Sequence, residues 1–351
     1  MTWLAISDGR HCLRAPQGKD LDDLITRGSV MIEVQLYGDR PQKLNMIEME
    51  RTNGWFRRFS VTLAKNAHIS VEHRQADTIT QAILKKPRTT SHDTLRLTYS
   101  WDAPARRGVL TAENTTSGTA VHAFFEEPQP LLGEDIHDLV NGQAFIDPAV
   151  SLFAVSDRIE PSGPMPGFLE GSWIGTPDGP RRIEDLAEGD EVLTARNGAQ
   201  PIRHLVSHEM PATGSFRPVR LRAPFLGLRT DLCVAPHHRI RVNGTDTEYL
   251  FGNENALVEA RHLGPMIGPA HAGSGATARY YQMVLDHHDC VNVAGGWAES
   301  LYLGDLARQP ARQTCSLFAG IPAGRLPVHE EIAGTVLEPY EASVLVANLC
   351  A

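Results

Sequence analysis

Residues 167–194 read GFLEGSWIGTPDGPRRIEDLAEGDEVLT. The stretch predicts strand, tight turn, one helical turn, a second turn and strand. Trp173 and Ile174 lead apolar into Thr176. In Pro177-Asp178-Gly179-Pro180 the proline pre-sets φ and the glycine takes a left-handed position. Ile183 to Leu186 carries apolar residues at helical spacing, Glu188-Gly189-Asp190 turns again, and Glu191 to Thr194 is a β run.

Around this stretch the chain has 351 residues, enough for two domains with sizeable cores. Apolar residues make up 42% and charged residues 21%, as in globular proteins generally. A formal charge of −9, with no basic stripe, argues against a nucleic-acid partner. The paired arginines at 57–58, 106–107 and 181–182 read as solvated faces. No apolar run approaches the ~18 residues of a membrane span. Asp8 interrupts the only apolar stretch near the start, so a signal peptide is not expected. The expected location is the cytoplasm, or outside the cell by a route needing no N-terminal signal. The five cysteines, Cys12, Cys233, Cys290, Cys315 and Cys350, are scattered and lack CxxC spacing. Neither a disulfide framework nor a zinc knuckle is expected.

Alternation marks the first half as β: Met31 to Leu36, Phe59 to Leu63, Ile69 to Glu72 and, most clearly, Leu95 to Trp101. Tyr37-Gly38-Asp39, Asn53-Gly54 and Ser117-Gly118 are the turn signals. Residues 1 to about 30 show no period. Polar-out alternation with short turns predicts antiparallel sheets with one wet face, in a β-sandwich of about 100 to 130 residues. Leu131 to Val140 predicts a short amphipathic helix closed by Asn141-Gly142. The expected organisation is a sandwich domain over 1–160, a Pro/Gly linker over 161–166, where closely spaced prolines exclude helix and central strand, and an all-β domain over 167–351. In the tail, Leu317-Phe318-Ala319 is a short apolar patch, Pro322-Ala323-Gly324 a turn, and Ala342 to Val346 a strand.

The 167–194 block resembles the opening of the Hint (hedgehog/intein) autoprocessing family, particularly its bacterial branch. There the block begins Cys-Phe-x-x-Gly-Thr-x-Ile-x-Thr-Pro-Asp-Gly. Phe168, Gly171, Ser172, Ile174, Thr176, Pro177, Asp178 and Gly179 hold the matching positions, and Gly167 stands where the nucleophilic cysteine would be. Asp231 to Val242 resembles the second block, in which a hydroxyl residue precedes a histidine by three positions. His238 matches the histidine, and Ala235 replaces the hydroxyl. Tyr281 to Val291 is similar to the late strand with its Leu-Asp-x-His, here Leu285, Asp286 and His288. Trp297 to Ser300 is similar to a Trp-x-Glu-Ser near the module's end, and the tail is also family-like.

The resemblance implies a horseshoe-like β fold and an N-to-S acyl shift. His238 would protonate the scissile amide, the residue at Ala235 would help hold it, and Asp286 with His288 would assist. The intramolecular substrate would be the chain's own N-terminal domain. Gly167 offers nothing to attack the Pro166 carbonyl, Ser172 lies too far along, and Ala235 removes a polar contact. A scaffold that does not process itself is therefore expected, with no cofactor. His238 reads equally well as a satisfied core histidine.

Two other function classes stand beside this one. Residues 91–114, SHDTLRLTYSWDAPARRGVLTAEN, are similar to a strand pair of concanavalin-like lectin or laminin-G-type sandwiches. That resemblance implies a glycan- or surface-binding module, with Trp55, Trp101, Asp102, Glu126 and Glu127 as the residue types for sugar contact. The plainer reading makes Trp101 core and the acids solvated. A zinc-dependent hydrolase would draw on His237, His238, His287, His288 and Cys290. Adjacent strand residues face opposite sides, so only His238, His288 and Cys290 could converge, and no metal site is expected. His204 and His208 read as surface histidines.

Overall fold

The structure, a computed structural model, describes residues 3–36, 43–90, 93–163, 165–270, 275–309, 313, 316–322 and 324–349. The Tyr37-Gly38-Asp39 turn signal, Ala323, Cys315 and Cys350 lie outside the described residues. The chain divides into two compact units. The first is Met1–Pro164 with Thr213–Ser215; the second is Met165–Ala212 with Phe216–Ala351.

Antiparallel sheets build the first unit. One runs, in spatial order, Thr119–Glu126, Arg107–Asn114, Thr94–Asp102, Arg27–Gln35, Val150–Ser156, Trp3–Ser7 and Cys12–Arg14. The other runs Phe145–Ile146, Leu44–Arg51, Arg57–Leu63, His68–Gln75 and Thr78–Lys85. Val30, Ile32, Leu95, Leu97, Tyr99 and Trp101 of the first join Met49, Phe59, Val61, Ile69, Val71 and Leu84 of the second in a single buried core. Two sheets sharing one core through alternate side chains make a β-sandwich. The helix Gly133–Val140 buries Ile136 and Leu139, and Arg57 ties it to the sheet through Asp135 at 3.0 Å.

Two expectations change here. Residues 1–30, aperiodic in sequence, supply Trp3–Ser7, an inner strand paired with Val150–Ser156 on one side and Cys12–Arg14 on the other. Its residues are almost all buried, and a strand covered on both faces shows no alternation. The strand Thr94–Asp102 also lacks a wet face: Arg96, Thr98, Ser100 and Asp102 are buried along with Leu95 and Leu97. Those polar groups are satisfied instead of solvated. Arg96 donates through Nε to Glu33 at 2.8 Å and through Nη1 to Glu113 at 3.3 Å, and Ser29 meets Ser100 at 2.7 Å.

The second unit is one continuous, largely antiparallel β system. From one end it runs Ile267–Pro269, Val219–Leu221, Leu232–Val234, Phe168–Leu169, Thr277–Leu285, Gly198–Pro211 and Glu191–Thr194. It continues through Cys290–Val293, Gly296–Glu299, Arg239–Asn243, Asn255–Glu259 and Thr335–Val336, the last pair parallel. The stretch read first folds as a hairpin, Trp173–Thr176 against Gly179–Arg182, then a 3-10 turn at Ile183–Asp185, then Glu191–Thr194. The hairpin loop is Pro177-Asp178, closed by Gly179 at φ 114°.

The tail segment 342–346 is not a strand. It lies in the helix Pro339–Leu349. Proline suits a first helical position, and Glu341 reaches back to accept from the Glu338 N–H at 2.8 Å. Ala342, Leu345 and Val346, at spacings of three and four, are the buried residues, so helical period outweighs the β-branched composition.

Candidate functional site

Phe168 pairs with Val234 on one side and Tyr281 on the other, which sets Gly167 at the mouth of this three-strand seam. The Ala235 N–H donates to the Gly167 carbonyl at 2.9 Å. Past Ala235 the chain turns through Pro236 and His237, and the His238 N–H closes the turn on the Ala235 carbonyl at 3.0 Å. That turn folds the His238 ring onto Phe168, edge-to-face, with centroids 4.3 Å apart. Gly167 and the Ala235–His238 turn, far apart in sequence, are thus held together by backbone pairing.

A shallow cavity of about 10 Å³, roughly the room one water molecule needs, is lined by Pro166, Gly167, His238, Gln282, Glu299 and Ser300 among others. His238 is 3% exposed, and neither ring nitrogen has a hydrogen-bond partner. Burial pushes its pKa down to about 4; the Glu299 charge pulls the other way, and Arg239 adds to the depression. The ring is therefore neutral at pH 7, with one N–H to donate and one lone pair to accept. A buried, unpartnered imidazole is costly, and it is a group placed to bond something in the cavity.

Glycine at 167 is not a backbone requirement, because the residue is absent from those with positive φ. A Cβ there would lie 3.0 Å from the Tyr280 Cβ and 3.2 Å from the Tyr281 carbonyl, and would require those neighbours to give by a few tenths of an ångström. Ala235 is buried and presents only its methyl group. The Ser172 hydroxyl is engaged, donating to the Leu169 carbonyl at 2.6 Å.

Asp286 and His288 do not line this cavity. Asp286 is partly exposed and ion-paired with Arg203, with Nη2 to Oδ2 at 2.7 Å; that hydrogen bond holds its carboxyl below the usual range. His288 is buried with both nitrogens occupied: Nε2 lies 3.1 Å from the Ser300 carbonyl, and Nδ1 accepts from the Ala333 N–H at 2.9 Å. Gln282 and Glu299 line the cavity, and sequence reasoning gave neither a role. A lone polar residue inside the apolar run Tyr281 to Leu285 was the available signal for Gln282. Glu299 accepts from the Arg239 backbone at 3.2 Å and its guanidinium at 3.3 Å.

Among the described residues no group of three or more histidines, cysteines or carboxylates could hold a metal ion. His237 is turned toward Glu259 at 3.4 Å. The Cys290 thiol is pushed up to about 12, chiefly by burial, and a thiol ligates metal only after losing its proton. In the first unit, Trp101 and Asp102 are buried, whereas Trp55 is 47% exposed and Glu126 and Glu127 lie at the surface. Among the described residues no helix is long and apolar enough to cross a membrane.

Residues 166–305 match the model of the Hint domain family. This segment belongs to that family. Its boundaries take in the cavity, from Pro166 to Leu301, and the matched span ends where the tail begins. None of the curated proteins matches the chain. The solved structures similar to it include the CBM40 of Ruminococcus gnavus IT-sialidase bound to α2,3 sialyllactose. That match has 11% identity, covers 44% of this chain and 86% of that one, and has a TM-score of 0.30. Scytalido-glutamic peptidase with a transition-state analogue matches at 9% identity over 46% of this chain and 66% of that one, TM-score 0.22. Sheep galectin-11 with glycerol matches at 9% identity over 38% and 84%, TM-score 0.23. At these values the likenesses carry no argument about what the chain binds or does.

Proposed function

We propose that the Hint domain is a self-processing module left idle by Gly167. In the reaction such a module performs, a thiol or hydroxyl at its first residue adds to the preceding carbonyl, here that of Pro166. The amide nitrogen takes up a proton and leaves as the amine of residue 167, and a second nucleophile resolves the resulting ester. The first unit is then the intramolecular substrate. His238 is the group we assign to deliver the proton, a contribution of ~10²- to 10⁴-fold where it operates. The observation that carries this reading is the shared cavity: an unpartnered, neutral His238 lines the same small space as Pro166 and Gly167. Asp286 and His288, held by Arg203 and by backbone groups respectively, receive no step. Restoring the thiol tests the reading. Gly167→Cys is expected to yield fragments parting between 166 and 167, faster with added thiol or hydroxylamine, and an uncut Gly167→Cys chain would count against it.

The second reading is a glycan- or surface-binding sandwich carrying an inert Hint scaffold. It draws support from Trp55, an exposed aromatic whose ring is stacked by Arg57 at 4.6 Å. Glycan-array binding by the full chain, lost in Trp55→Ala, would favour it.

A further inference from the structure

Beyond the end of the family-matched span, the tail folds back on the Hint domain. Phe318 and Leu326 pack with Val284 and with Leu303, itself near the end of the matched span, in a cluster of their own. Two imidazoles fasten this segment near its ends. His288 Nε2 lies 3.1 Å from the Ser300 carbonyl and its Nδ1 2.9 Å from the Ala333 amide nitrogen. His329 Nε2 lies 2.9 Å from the Leu285 carbonyl and its Nδ1 3.2 Å from the Leu303 amide nitrogen. A carbonyl only accepts and a backbone N–H only donates. Each ring therefore has one solution: proton on Nε2, lone pair on Nδ1, no net charge.

We propose that His288 and His329 are an acid-sensitive double fastening, which holds the segment after residue 300 while neutral and releases its ends on protonation. The added proton can go only to Nδ1, where it points an N–H at an N–H. Leu303 and Ala333 each lose a buried acceptor, and both rings are nearly sealed from water, 5% and 3% exposed. Glu299 and Ser300 line the cavity described above, so the same event reaches its wall.

The charged and titratable neighbours set how far the acid must go. From strand Gly296–Glu299, Glu299 Oε2 lies 3.5 Å from His288 Nε2 and favours charge there, although Arg239 already engages it. From the loop after Leu285, Asp286 and His287 act on His329 with opposite signs, and Arg203 holds Asp286. Tyr302 presents its ring to both histidines, with centroids 5.1 and 6.0 Å away. His204, from strand Gly198–Pro211, meets Glu188 at 2.9 Å and the Arg325 carbonyl at 3.2 Å. Both of those partners accept, so a second ring proton there adds to a fastening instead of breaking one. Burial places His329 below the ordinary histidine range, against the pull of the Leu285 carbonyl.

Hydrogen exchange of the full chain at pH 7.5 and pH 4.5, corrected for intrinsic rates, tests this together with long-range ¹H–¹⁵N spectra of the imidazoles. The amides of Leu303 and Ala333 are expected to exchange at least about tenfold faster at pH 4.5, because a proton on Nδ1 removes the acceptor each amide uses. The rise should exceed that in strand Thr277–Leu285, which is paired on both sides, and should follow the titration of the two rings. No rise, an equal rise in that strand, or a ring tautomer with its proton on Nδ1 at pH 7.5 would overturn the proposal. None of these readouts depends on whether the chain can cut itself.

Discussion

The Ala235 amide is hydrogen-bonded to the Gly167 carbonyl at 2.9 Å, joining the position where the Hint pattern has its nucleophile to the one where it has a hydroxyl. Backbone pairing alone brings the two positions together, independent of either side chain.

Gly167→Cys should fold. The backbone there needs no glycine, and the new Cβ asks Tyr280 and Tyr281 to move by a few tenths of an ångström. Its cost is expected at about 1 kcal/mol, the low end for added volume in a packed site. Urea unfolding measures it; a loss several times larger would mean the seam has closed around glycine.

His238→Phe should leave stability unchanged or raise it. The ring is buried, edge-to-face with Phe168, and neither nitrogen is paired, so an apolar ring of similar shape removes a desolvation cost of about 1–3 kcal/mol. In the Gly167→Cys background the same change should suppress cleavage. A marked loss of stability would show that the imidazole has a structural partner.

Acid should weaken both units. His73 and His238 are each held at about 4, mainly by burial, against about 6.5 in an unfolded chain. Both folded values are depressed, so the unfolded chain binds more protons between pH 6.5 and 4. Stability is complete above about pH 6.5 and falls as pH drops toward 4, by up to about 3 kcal/mol per histidine. Urea midpoints between pH 7 and 4 measure this, and His73→Phe should flatten the dependence in the first unit.

Arg96→Ala should cost about 3–5 kcal/mol, because it leaves Glu33 and Glu113 buried without their cation. Replacing all three with apolar residues of similar volume should cost much less. Thermal or urea unfolding of the two variants distinguishes a paired charge cluster from a merely tolerated one.

Much of this was legible in the residues. Turn chemistry marked the Pro177-Asp178 hairpin, alternation marked the strands of the sandwich, and the ordered blocks marked the span that matches the Hint model. What escaped has physical causes. Trp3–Ser7 is covered on both faces, which erases the period-2 signal. The polar face of Thr94–Asp102 looked wet because a buried Arg96–Glu33–Glu113 cluster has the same residue types as a solvated one. Ala342 to Val346 is β-branched in part, but its neighbours Pro339 and Glu341 set a helix start. His288 matched a family position, and a sequence cannot reveal that both its nitrogens are spent on Ser300 and Ala333.

The central claim is that a Hint domain with glycine at its first position has no atom with which to cut. Intact mass measurement of the freshly purified chain, repeated after prolonged incubation with thiol, tests it most directly. The account predicts a single uncut species throughout. Fragments ending at Pro166 and beginning at Gly167 would contradict it.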